Sequence, residues 1–167
     1  MDDRPIFLVG FMGSGKSSLG RRLAERLGFS FHDTDERVER REGREIAPIF
    51  REEGEAYFRD VEFEVLRGLD GRRGAVVATG GGLFLGAAQR RWMKRRGRTV
   101  WLDVPLDVCA ARVGEGAARP LWHPEDPIAF RALFDRRSAA YALAELRLRA
   151  GAESADELVG RLLGVFG

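Results

Sequence analysis

The chain has 167 residues, of which 44% are hydrophobic and 32% charged, and its formal net charge is +2. That length suits one packed domain, and so small a net charge gives no argument for nucleic acid as a partner. A lone cysteine, Cys109, excludes an internal disulfide and any multi-cysteine metal site.

Residues 6–9, Ile-Phe-Leu-Val, read as a short buried strand. The next eight, Gly10-Phe11-Met12-Gly13-Ser14-Gly15-Lys16-Ser17, fit G-x-x-x-x-G-K-[ST] at every fixed position, and Leu19, Leu23 and Leu27 then follow at helical spacing. Strand, glycine loop and helix together turn the match into a mechanism. Backbone N–H groups wrap a phosphate, the helix N-terminus adds its positive dipole, Lys16 reaches the outer phosphates, and Ser17 offers a hydroxyl to Mg²⁺. Gly13, Ser14, Gly15, Lys16, Ser17 and Ser18 are the nucleotide-binding residues expected from this loop. Of 28 basic residues only Lys16 and Lys94 are lysine. Lysine thus stands where a compact ammonium fits between phosphates better than a planar guanidinium.

Residues 29–33 read as a second strand. Helical segments over 36–42 and 46–53 are separated at Gly43, and Phe58, Val61, Val65, Leu66 and Leu69 mark a helix over 55–69. Residues 75–78 form a third strand running into Thr79-Gly80-Gly81-Gly82. A helix over 86–96 follows, and the basic run 90–98 reads as its solvated face. A strand over 99–103, a helix over 105–113, a Gly/Pro-rich loop over 114–126, a helix over 127–143, a strand over 146–149 and a helix over 155–165 complete the chain. The alternation predicts an α/β fold, a three-layer parallel sheet flanked by helices, as one domain over 1–167. No signal segment or apolar run of membrane-spanning length is visible, so a cytoplasmic protein without a membrane or nucleic-acid partner is expected.

In an open parallel sheet, ligands gather beyond the carboxyl ends of the strands. That rule brings the glycine loop, the Asp33/Asp35 turn and the triple glycine together. Phosphoryl transfer to an alcohol needs Mg²⁺ and a carboxylate beside the hydroxyl, roles that Asp33 and Asp35 could divide. The alternative is that Asp35 only caps a helix starting at Glu36, with Asp33 a turn residue. Three successive glycines suggest close approach of a ligand to backbone N–H groups. Arg59 could merely pair with Glu55 or Glu62 at helical spacing, and Arg119 and Arg137 could face solvent. His32 and His123 lack a second histidine at ligand spacing and read as incidental. Asp103 is either a Mg²⁺-supporting acid or a turn residue.

Five segments together resemble the shikimate kinase family: GFMGSGKSSLG at 10–20, FHDTDERVE at 31–39, IAPIFREEGEAYFRDVE at 46–62, TGGG at 79–82 and RPLW at 119–122. The resemblance implies a P-loop, nucleoside-monophosphate-kinase-like fold with a substrate-binding helical region over 34–62 and a mobile lid over 113–126. It implies transfer of the ATP γ-phosphate to the 3-hydroxyl of shikimate, with Mg²⁺ as cofactor and a monomeric enzyme. Asp35, Arg59, Gly80, Gly81, Gly82 and Arg137 would hold shikimate. Arg119 would meet the ATP phosphates, Arg112 would lie against adenine, and Ser17 with Asp33 would place the metal. Lys16, Asp35 and Arg119 would carry the catalysis. The family's R-x-P-x-Y pattern stands here as Arg137-Ser138-Ala139-Ala140-Tyr141, without the proline; the spacing to Tyr141 favours Arg137 over Arg136.

Two other readings compete. A gluconate or nucleoside monophosphate kinase would share the phosphate loop, but Arg59, Arg137 and the glycine turn argue against it. A nucleotide-dependent switch or binding module is a different class; with no asparagine the chain cannot carry the Asn-Lys-x-Asp guanine signature, and its only glutamine, Gln89, is poorly placed to orient a water.

Overall fold

The computed structural model describes residues 2–114, 120–121 and 125–166. Arg119, His123 and most of the expected lid lie outside these residues. Five strands, β1 (Ile6–Val9), β2 (Ser30–Asp33), β3 (Ala75–Ala78), β4 (Arg98–Asp103) and β5 (Leu146–Arg149), pair in parallel in the order β2-β3-β1-β4-β5. The helices are α1 (Lys16–Leu27), α2 (Thr34–Glu42), α3 (Ile46–Arg67), α4 (Ala87–Arg96), α5 (Leu106–Gly114), α6 (Pro127–Tyr141) and α7 (Ala155–Phe166).

β1 and β3 are buried at every position, as strands covered on both faces must be. Side chains alternate across a strand, so neighbours on β1 report the two faces separately. Phe7 meets Trp92 of α4 edge to face, with ring centroids 6.0 Å apart. Leu8 lies against α1 on the other side, where a methyl added to Gly20 would come within 3.2 Å of Leu8 Cδ1. α7 packs beside α1. The result is the three-layer α/β arrangement expected from the alternation.

The expected breaks also have physical causes. α2 stops at Gly43, whose left-handed φ of 68° places its N–H on Glu39 O. The segments expected as separate helices over 46–53 and 55–69 form α3, which is kinked at Gly54 (φ 86°, ψ 169°). α2 and α3 share a small core of their own, Val38, Ile49, Phe58, Val61 and Val65, apart from the main one beneath the sheet. α1 starts at Lys16, ahead of its first apolar residue, because the glycine loop runs straight into the first turn. The 3₁₀ turn Leu83–Leu85 was not expected, since three residues carry no period. Cys109 is fully buried. Among the described residues no helix is long and apolar enough to cross a membrane.

At the α4–β4 junction, Gly97 donates its N–H to Met93 O at 3.0 Å and Arg98 donates to Pro5 O at 2.8 Å. A Cβ on Gly97 would lie 2.1 Å from the Pro5 carbonyl oxygen, which the sheet register holds in place. Gly160, in the middle of α7, is exposed and would meet nothing within 4 Å. Gly97→Ala is expected to lower stability by about 3 kcal/mol, and Gly160→Ala to raise it by up to about 1 kcal/mol. Urea unfolding of the two variants beside the parent checks both signs.

Candidate active site

A crevice of about 740 Å³ opens beyond the carboxyl ends of β1, β2 and β3. One wall is the glycine loop. Gly13 takes φ 75°, and a Cβ there would lie 2.5 Å from Cys109 O, so both conformation and space demand glycine. α1 begins with no side-chain cap and no acidic residue in its first turn, which leaves its positive end available to an anion. Lys16 Nζ bends back over the loop and donates to Gly10 O at 2.8 Å and Phe11 O at 3.0 Å. Arg112 braces the outside, donating from Nη1 to Ser14 O at 3.1 Å and Gly13 O at 3.3 Å. Ser14 is buried and its N–H is tied to Phe11 O at 3.2 Å, so it shapes the loop from within. Gly13, Gly15, Lys16, Ser17 and Ser18 face the crevice.

Asp33 joins the two walls. Its Oδ2 accepts from Ser17 Oγ, and its Oδ1 accepts from the N–H groups of Asp35 (2.9 Å) and Glu36 (3.3 Å). Asp33 is therefore the N-cap of α2, and the alternative that Asp35 takes this role is corrected. Asp35 sits in the first turn with its carboxylate aimed at Gly80, where a Cβ would come within 2.8 Å of Oδ1.

The triple glycine and two arginines complete the opposite side. Gly80 donates its N–H to Thr34 Oγ1 at 2.8 Å. A Cβ on Gly82 would sit 2.3 Å from Arg59 Cζ, and one on Gly81 would sit 3.0 Å from Arg137 Nη1. Only glycine lets the backbone approach both guanidinium groups this closely. Arg59 does pair with Glu62 (2.9 Å) and Glu55 (3.2 Å), as its helical spacing allows, but it lines the crevice as well. Burial works against its charge, yet the two glutamates outweigh it and its pKa is raised. Arg137 is buried at 4% exposure whereas Arg136 is exposed, so the spacing to Tyr141 selected the inward-facing arginine. Its Nε has no hydrogen-bond partner, and burial, with Arg59 nearby, lowers its pKa despite Tyr141 beside it.

Glu62 lines the crevice and Tyr141 stands against its glycine turn, whereas the sequence marks them only as a possible partner of Arg59 and as the end of the arginine pattern. Glu62 is fully buried; Oε2 accepts from Arg59, and Oε1 has no hydrogen-bond partner. It falls on the same helical stripe as Phe58, Val65 and Leu66, where a carboxylate stands out. Burial, reinforced by the charge of Asp35, pushes Glu62 up to about 7 against the pull of Arg59. Tyr141 donates its hydroxyl to Gly81 O.

Other residues weighed from the sequence lie elsewhere. Asp103 accepts from Arg147 Nε at 2.8 Å and pairs with Nη2 at 2.7 Å, outside the crevice lining. His32 accepts from Arg37 at Nδ1 (3.0 Å), which leaves Nε2–H to donate to Ser30 Oγ (3.1 Å). Burial, then Arg37 and Arg72, lower its pKa and keep it neutral.

Chemically, the arrangement offers a phosphate cradle on one side and a carboxylate with two guanidinium groups on the other. Comparison with known proteins points the same way. The family model described as shikimate kinase matches residues 12–165. The shikimate kinase of Persephonella marina is 43% identical over 161 residues, covering 96% of this chain and 98% of that protein. The structure of shikimate kinase from Acinetobacter baumannii in complex with shikimate superposes with a TM-score of 0.93 at 38% identity, covering 98% of this chain and 92% of that one. A deoxyadenosine kinase from M. mycoides, at 12% identity and a TM-score of 0.66, shares the fold alone.

Glu62 gives a pH dependence of known sign. A carboxyl whose pKa is higher folded than unfolded favours the folded state when protonated. Its contribution is full below its ordinary value of 4.5 and is lost as pH rises through about 7. Between pH 5 and 8 the parent protein is expected to lose up to about 3 kcal/mol relative to Glu62→Gln. Urea unfolding at a series of pH values reads this, and parallel curves would contradict it.

Proposed function

The chain belongs to the shikimate kinase family, ATP-dependent enzymes that phosphorylate the 3-hydroxyl of shikimate on the route to the aromatic amino acids, and we propose that its crevice divides that reaction between its two walls. The observation that carries this reading is the convergence of Lys16, Asp35, Arg59, Glu62, the triple glycine and Arg137 on one crevice.

ATP lies with its phosphates in the loop formed by Gly13, Ser14, Gly15, Lys16, Ser17 and Ser18, and Arg112 lies toward the adenine. Loop N–H groups and the start of α1 hold the β-phosphate, while Lys16 exchanges loop carbonyls for phosphate oxygens. A Mg²⁺ ion fits the donors present. The Ser17 hydroxyl and an Asp33 oxygen face each other, both hard oxygen ligands. Among the described residues no group of three acidic, histidine or cysteine side chains could hold a metal by itself. That suits Mg²⁺, which takes most of its ligands from phosphate and water. When bound, it neutralises phosphate charge.

Shikimate lies on the other wall. Its carboxylate meets Arg59, Arg137 and the N–H groups of the glycine turn, and Asp35 accepts from the 3-hydroxyl and takes its proton as the new O–P bond forms. The γ-phosphoryl group leaves ADP and passes in line to that oxygen, while Lys16 and Arg119 balance the charge on the equatorial oxygens. Arg119 lies outside the described residues, in a lid over 113–126 that would close over the site and exclude water. The helical region over 34–62 carries the substrate side of this single domain. A monomeric, cytoplasmic enzyme is the simplest form of the reading.

An assay with ATP and shikimate, coupled to ADP release, tests the reading directly; gluconate and nucleoside monophosphates should not replace shikimate. Asp35→Asn is expected to lower kcat by about 10²–10⁴, and Arg119→Ala by roughly 10³ or more. Shikimate affinity measured by calorimetry should change far less in Arg119→Ala. Equal turnover with weakened shikimate affinity would contradict the role of Arg119.

A further inference from the structure

Tyr141, the last residue of α6, lies one helical turn beyond Arg137 and on the same face. Its side chain is 1% exposed, with the ring packed against Trp101 at a centroid distance of 6.2 Å. The hydroxyl makes two contacts. It donates to Gly81 O, and the Arg137 guanidinium lies beside it, close enough to act on its charge. A Cβ on Gly81 would lie 3.6 Å from this oxygen and 3.0 Å from Arg137 Nη1, so phenol, guanidinium and glycine form one packed unit.

Peptide geometry extends the effect. The Gly81–Gly82 peptide is trans, so its carbonyl and its N–H point in opposite directions. Anchoring Gly81 O on Tyr141 fixes the direction of the Gly82 N–H, away from α6, beside the Arg59 guanidinium that packs on Gly82. Gly80 N–H is already taken by Thr34. Among the described residues no group accepts from the Gly81 or Gly82 N–H.

We propose that Tyr141 is a positioning residue for substrate. Its hydroxyl locks the glycine turn and Arg137 into a single preformed carboxylate receptor between α6 and α3. The inference rests on the proposed reading of Arg137 and the glycine turn as the carboxylate site, and adds the group that aligns them. Burial raises the phenol far above its ordinary range, so it remains a proton donor at any working pH. Without the hydroxyl, Gly81 O would lose its partner and Arg137 the polar group packed beside it, so the turn and the guanidinium would have to be ordered at each binding event.

Tyr141→Phe keeps the ring and removes only the hydroxyl. At saturating ATP the KM for shikimate is expected to rise about tenfold, the effect of one well-placed hydrogen bond. The KM for ATP should stay unchanged and kcat should fall less than twofold. The neutral methyl ester of shikimate, which lacks the anion, should bind the parent and the variant equally well by calorimetry. An unchanged KM for shikimate would overturn the inference, and so would an equal loss for acid and ester. Arg137→Ala, run alongside, separates the two levels. If it leaves shikimate affinity intact, the carboxylate site itself is misassigned. If it weakens shikimate while Tyr141→Phe does not, only the role of Tyr141 fails. Measurements at 10 °C with saturating nucleotide keep a destabilised variant folded. A Tyr141→Phe chain still unfolded under those conditions would mark the hydroxyl as a determinant of the fold, and would overturn the proposal.

Discussion

Parallel hydrogen bonding between β2, β3 and β1 sets how far apart the two walls of the crevice stand. Ala78 pairs with Asp33 on one side and with Leu8 on the other, so the three strands reach their carboxyl ends nearly level. The segments leaving those ends must then share one edge: the glycine loop after β1, Asp33 and Asp35 after β2, and the triple glycine after β3. Separations of tens of residues in the chain become side-chain contacts. The bond between Ser17 and Asp33 closes this edge across the two walls, and Asp33 can make it because its other oxygen caps α2. A single carboxylate thus fixes both the direction of a helix and the spacing between nucleotide loop and substrate wall.

Around that edge the problem is one of charge. Two arginines line the crevice, and buried guanidinium groups tolerate poorly an environment without counter-charge. The two are handled differently. Arg59 is held by Glu62 and Glu55, and its pKa is raised. Arg137 has a neutral phenol beside it and, among the described residues, no partner at Nε, and its pKa is lowered. A carboxylate entering the crevice would relieve Arg137 most, because that group has least to give up. Glu62 carries the converse strain. It compensates Arg59 but sits beside Asp35 in a buried place, so it holds its charge with difficulty near neutrality.

The sheet and most helix limits were legible because local chemistry decides them. Apolar runs of four residues mark β1 and β3, and glycines in left-handed conformation end α1 and α2. The glycine loop was legible because its backbone conformation allows few sequences. That Arg59 and Arg137 turn toward the crevice could be read only as a family pattern, since one arginine among 26 says nothing about which way it points. Arg59 and Arg137 differ from their neighbours in burial, which depends on how α3 and α6 meet the glycine turn. The places of Glu62 and Tyr141 were hidden for a related reason. Each contacts a glycine from a distant part of the chain, and glycine carries no side chain to announce the contact. The cap of α2 was ambiguous between Asp33 and Asp35 because aspartate suits that position at either number, and only the strand's end decides it.

The scarcity of lysine has a physical sense in this setting. Guanidinium groups stack on rings and spread their charge, and the chain uses them so: Arg147 over Trp101 at 4.5 Å, Arg96 over Trp92 at 4.4 Å, Arg21 over Phe31 at 4.5 Å. A planar group of that size could not bend back into the glycine loop. Lys16 does so, placing one small ammonium against the carbonyls of Gly10 and Phe11. Its donors rotate freely about the Cε–Nζ bond, so contacts to carbonyls can be exchanged for contacts to phosphate without moving the stem. Arginine fits the other wall for the opposite reason. A rigid fork loses its directionality unless something fixes its plane, and Arg59 and Arg137 each have that constraint in the glycine packed against them. On the proposed division of the crevice, the phosphate that moves would meet a donor able to follow it, and the carboxylate that stays still would meet donors held in place.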